Sequence, residues 1–130
     1  MTDLTGLPSM EFSFNLEAKG SETGKSWKGN FSFKRLNYRQ KLDASKYAAQ
    51  LNGDLATLPP NIKFTNDVLA LLKFGLIEYP KWWEESNFGL ELYDDNIIAE
   101  LFNKVDEFEQ KWRKEIETLN KDPNATVKAK

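Results

Sequence analysis

Met10-Glu-Phe-Ser-Phe-Asn-Leu-Glu-Ala18 alternates strictly, with Met10, Phe12, Phe14 and Leu16 on one face and Glu11, Ser13, Asn15 and Glu17 on the other. That is the period-2 signature of a strand with one buried face. A second alternating stretch follows, with Trp27, Gly29, Phe31 and Phe33 on one side and Asn30, Ser32 and Lys34 on the other. The intervening Gly20-Ser-Glu-Thr-Gly24 is turn chemistry. The two stretches therefore predict an antiparallel hairpin with one apolar face. A lone hairpin is marginal in water, so this face must be covered by helices or by another chain.

Downstream, the apolar period changes to that of helices. Asn37 is placed to cap a helix over about Tyr38–Leu51, with Leu42, Tyr47, Ala48 and Leu51 on its apolar side and Asn52-Gly53 as its stop. Leu58-Pro59-Pro60-Asn61 reads as a linker. A second helix is expected from about Lys63 to Tyr79, ended by Pro80, with a wide apolar face from Phe64 to Ile77. Lys81–Gly89 is expected as a loop or short helix. The last helix is the clearest element. Ile97, Leu101, Val105, Phe108, Trp112, Ile116 and Leu119 form one stripe at steps of three and four, with Asp94 or Asp95 as its cap. The reading is an α+β fold: an N-terminal antiparallel β-hairpin packed on about three α-helices, ending in a long C-terminal helix. Residues 10–120 form one domain, between a flexible arm at 1–9 and a flexible tail at 121–130.

Composition narrows the function. The 130 residues include no cysteine and no histidine, which excludes disulfides and thiolate chemistry and removes the commonest general base and zinc ligand. The net charge is −2, divided as +3 over residues 1–63 and −5 over 64–130. The apolar run Val68–Ile77 is interrupted by Lys73 and is too short to span a bilayer, so no membrane role is expected.

Four local groups bear on chemistry. Gly20-Ser-Glu-Thr-Gly24-Lys25-Ser26 is similar to a phosphate-binding loop, but has three residues between its glycines instead of four, and a strand follows where a helix is required. It reads as a hairpin turn. Lys34, Arg35, Arg39, Lys41 and Lys46, with Tyr38 and Tyr47, match a nucleic-acid surface in residue type, but a solvated helix face accounts for them better. Glu84, Glu85, Glu91, Asp94 and Asp95 fit no calcium-loop spacing, and the two aspartates read as helix caps. No cofactor, metal or catalytic group is therefore expected. The fourth group is Tyr79-Pro80-Lys81-Trp82-Trp83. Two readings stand: one indole completes the core while the other is an exposed interface anchor, or both cap the hairpin and helices. The favoured protein-binding surface joins Trp82 and Trp83 to Phe108, Trp112 and Ile116, gripping a helical partner.

The order of these features, with Thr23-Gly-Lys-Ser-Trp-Lys-Gly-Asn-Phe-Ser-Phe-Lys-Arg35, then Glu78-Tyr-Pro-Lys-Trp-Trp83, then Gly89-Leu-Glu-Leu-Tyr-Asp94, resembles small morphogenesis proteins of tailed bacteriophages, among them tail assembly chaperones. The resemblance spans about residues 10–117. It implies a non-enzymatic factor in the host cytoplasm that binds the tape-measure or other tail proteins while the virion is assembled, with homo-oligomers as a further expectation. The alternative is a structural virion component such as a head–tail connector or minor tail subunit. A nucleic-acid-binding or regulatory role ranks below both.

Overall fold

The computed structural model describes residues 6–53 and 57–121. Most of the arm and nearly all of the tail expected from the sequence, residues 1–5 and 122–130, lie outside the described residues. Strands β1 (Glu11–Lys19) and β2 (Ser26–Lys34) form the hairpin, paired antiparallel with Phe12 opposite Phe33 and Phe14 opposite Phe31. Helix α1 (Tyr38–Asn52) and helix α2 (Pro60–Gly75) follow, then strand β3 (Leu76–Glu78), the short helix α3 (Lys81–Glu85) and the long helix α4 (Asn96–Lys121). The sheet order is β1-β2-β3, antiparallel throughout. The α+β architecture follows directly: a small sheet carries helices on its apolar face.

The core lies between that face and helices α2, α3 and α4. Leu16, Phe31 and Phe33 from the hairpin meet Val68, Leu69 and Leu72 of α2, Trp83 of α3, and Ile97, Leu101 and Val105 of α4, all buried. Phe12 and Phe14 are only half-buried, so the apolar face of the hairpin is not covered evenly. On α4 the fully buried positions stop at Val105; from Phe108 onward the stripe is half-buried. The outer face of the sheet is polar. Ser13 and Ser32 hydroxyls lie 2.7 Å apart, and Ser32 donates to Glu78 at 2.9 Å, giving the buried Ser32 its partners.

The first helix matches its expected bounds to within a residue. Asn37 accepts from the Gln40 amide and Gln40 reaches back to the Asn37 amide, a complete capping box. Gly53 ends the helix at φ 66°, a conformation that glycine adopts without the strain a Cβ would bring.

The second helix departs from the expected Lys63–Tyr79 at both ends. It starts at Pro60, because proline at the first helical position has no amide to leave unsatisfied. It stops at Gly75, and Leu76–Glu78 turns into β3 instead of continuing the helix. The cause is the approach of β2. Phe33 lies directly against Gly75, and a Cβ there would run into its ring. The chain then extends so that Leu76 pairs with Phe33 and Glu78 with Ser32 across an irregular register. Pro80 contributes by favouring extended backbone before it.

Gly75→Ala sets helix propensity against this contact. Alanine would gain about 1 kcal/mol in a free helix, whereas overpacking a close-packed core costs about 1–3 kcal/mol. A net loss of stability is expected in urea unfolding, with β3 the element displaced.

Candidate functional site

The structure divides the five residues that the sequence groups as one binding surface. Trp83 is fully buried, edge-on to Phe31 at 6.4 Å between ring centroids. Its exposure as an anchor is therefore corrected: it is a core residue, held in place because Gly89, at φ 92°, lets the backbone pass against its six-membered ring. Among the described residues its indole Nε1 has no hydrogen-bond partner. Trp82 is half-buried and packs on Trp27 at 4.8 Å, and its indole donates to the Lys28 carbonyl at 2.7 Å. The pair is thus split, one indole inside and one at the surface.

Phe108, Trp112 and Ile116 lie on the far stretch of α4. Phe108 stacks on Phe12 with ring centroids 4.4 Å apart and meets Phe33 edge-on. Trp112 lies under the Arg35 guanidinium, 3.8 Å from its ring centroid, and Arg35 is held by Glu109 at 3.0 Å. Ile116, one turn on, is half-buried. Helix α4 begins beside the hairpin turn, where Asn96 donates to Lys19, and reaches the open end of the hairpin at Arg35 and Trp112. Trp82 sits at the turn end. Trp27 and Arg35 are eight positions apart along extended chain, roughly 26 Å at about 3.3 Å per residue. Trp82 and Trp112 therefore do not share one contact surface.

Asp94 is the second correction. It does not cap α4. Its buried carboxylate turns away from the helix and into the hairpin turn, accepting from the amides of Glu22 at 2.7 Å and Thr23 at 2.8 Å, the Thr23 hydroxyl at 2.5 Å and the Trp27 indole at 2.9 Å. The loop that resembles a phosphate cradle does hold an anion, and the anion is the protein's own. Gly20 is required there, since a Cβ would overlap the Asp94 carboxylate. The Thr23 hydroxyl, followed by the Trp27 indole and the two amides, outweighs the effect of burial and holds the Asp94 carboxyl below the usual carboxylate range.

The sequence reading missed a groove between β1 and α4. It has a volume of about 640 Å³; Phe12, Phe14 and Phe108 supply its aromatic wall, and Lys104, Glu107, Gln110, Lys111 and Lys114 its polar rim. The strand alternation leaves Phe12 and Phe14 on the core side of β1 but beyond the reach of the buried part of α4. The signal was present as a second stripe on the last helix: Lys104, Glu107, Lys111 and Lys114 step by three, four and three beside the apolar one. Of the residues read as a basic group, Arg35 is committed to Glu109 and Trp112. Among the described residues, no group of three or more acidic side chains is placed to hold a metal ion, and no helix is long and apolar enough to cross a membrane. No protein-family profile, characterised protein or solved structure matches this chain.

Two outcomes follow from these placements. Because the Asp94 pKa is lower folded than unfolded, its stabilisation is fully present above about pH 4, the ordinary value of a free aspartate. It declines as pH falls towards the lower native value. Asp94→Asn is expected to lower the melting temperature at pH 7 by several degrees, and the gap to wild type should narrow only below about pH 4. For the tryptophans, Trp83→Ala is expected to cost about 3–5 kcal/mol as a large cavity in the core, and Trp112→Ala about 1–2 kcal/mol, through loss of the stack on Arg35. Urea unfolding of the two variants side by side separates core from surface.

Proposed function

We propose that this protein acts by binding another protein, without catalysis, and that the groove between β1 and α4 seats an apolar, acid-flanked segment of that partner. The observation that carries the reading is the composition of the groove. Three phenylalanine rings form its wall, and the rim has three lysines against one glutamate, opposite in sign to the chain's net charge of −2. Aromatic surface supplies burial, and a charged rim selects and steers the partner. In the tailed-phage setting that the sequence resembles, the occupant is a segment of a tail protein, the tape-measure protein first. The chain would then act as an assembly chaperone, covering apolar surface until the tail closes over it.

The test is direct binding of purified tape-measure protein to the wild type and to Lys111→Glu combined with Lys114→Glu. Both lysines are exposed, so unfolding should change by no more than about 0.5 kcal/mol. Binding should weaken by about tenfold or more, and wild-type affinity should fall as salt is raised. Unchanged affinity in the double variant would remove the groove from the reading, and no binding by either protein would remove the tape-measure assignment.

A further inference from the structure

Strand β1 is an edge. β2 lies on one side of it, and among the described residues no strand lies on the other. Two hydrogen bonds at the ends of the hairpin fix the phase of its ladder: the Arg35 amide donates to the Met10 carbonyl at 2.9 Å, and the Gly20 amide to the Lys25 carbonyl at 2.8 Å. Even-numbered residues of β1 thus face β2 with their backbone groups, and odd-numbered residues face away. The amides and carbonyls of Ser13, Asn15 and Glu17 accordingly point outward, and none has a hydrogen-bond partner among the described residues. A row of free edge groups flanked by an apolar face is a template for another strand.

We infer that the strand it takes is β1 of a second copy, antiparallel, with the twofold axis at Asn15. The argument is register. This is the antiparallel alignment in which the side chains of all nine residues of β1 (Glu11–Lys19) face all nine of the other copy. Its backbone bonds run between Ser13, Asn15 and Glu17, since the Ser9 hydroxyl already bonds the Glu11 amide and carbonyl and Asn96 donates to the Lys19 carbonyl. On the polar face it sets Glu11 opposite Lys19 twice, once on each side of the axis, and Ser13 opposite Glu17. On the apolar face it sets Phe12 opposite Ala18 and Phe14 opposite Leu16. Sliding by two residues in one direction places Glu11 opposite Glu17. Sliding in the other leaves Glu11 beyond the end of the partner strand. Opposite charges directly across a strand pair stabilise it and like charges disfavour it, so sequence and ladder phase select the same alignment. The pairing is isologous and closes as a dimer, with β2 and β3 of each copy continuing a six-stranded sheet. Both grooves then lie on one face of that sheet, and the dimer stands whether or not the groove has the ligand proposed above.

The test uses the full chain, which contains no cysteine of its own. In a hydrogen-bonded antiparallel pair the facing Cα atoms are about 5.5 Å apart, within the span a disulfide bridges. Asn15→Cys should therefore oxidise to a species of about 30 kDa, twice the 15.0 kDa chain, while Lys46→Cys, on the exposed side of α1, should not. In sedimentation, Glu11→Lys and Lys19→Glu should each raise the dimer dissociation constant by about tenfold, and the two together should restore it, since the charges exchange places. Three results would overturn the inference: a wild-type monomer at about 200 µM, a dimer indifferent to both single reversals, or equal cross-linking at positions 15 and 46.

Discussion

The fold depends on one carboxylate. Asp94 stands at the junction between the irregular segment after α3 and the start of α4, and its oxygens take three donors from the hairpin turn and a fourth from Trp27 of β2. Without that carboxylate the Glu22 and Thr23 amides and the Trp27 indole would lose their acceptor, and the start of α4 would lose its strongest polar tie to the sheet. Asn96 adds to the same junction, accepting from the Ser21 amide and donating to the Lys19 carbonyl. The direction of α4 along the hairpin, and hence the position of Phe108 against Phe12, is set from this end. At the other end Arg35 repeats the arrangement with weaker means, an ion pair to Glu109 and a stack on Trp112.

Much of this was legible in the sequence because it follows from periodicity. Strand alternation places Leu16, Phe31 and Phe33 in the core, and the three-four spacing of Ile97, Leu101 and Val105 places α4 over them. Asn37 was readable as a cap because the acceptor and the amide it serves are three residues apart. What was not legible depends on contacts distant in sequence. Asp94 has the look of a helix cap, and only the arrival of the hairpin turn, more than seventy residues earlier, gives its carboxylate better donors than the helix offers. Helix α2 has an apolar pattern running on to Ile77, and what ends it is a phenylalanine ring from β2. In both cases tertiary structure overrode a sound local signal.

The candidate site shows the same division. Trp82 and Trp83 are adjacent in sequence, so no local rule tells which goes inward. Their fates are set by Gly89, which opens a slot for one indole, and by the Lys28 carbonyl, which holds the other at the surface. The lysines of the groove rim are ordinary helix-surface residues when taken singly. They become a site only because Phe12 and Phe14 stand across from them, and that depends on which stretch of α4 reaches β1.

The covering of the hairpin face also sets a timetable for synthesis. Phe31 and Phe33 are complete long before Ile97 to Val105, their partners on α4, have been made. At typical translation rates of about 5–20 residues per second, some seventy residues of delay leave the aromatic face of the sheet without its main cover for roughly 4–14 s. During that interval the nascent chain presents apolar strand to any neighbour on the same polysome. The polar outer face, with its Ser13–Ser32 contact and its flanking charges, is the side on which the hairpin can remain wetted while it waits.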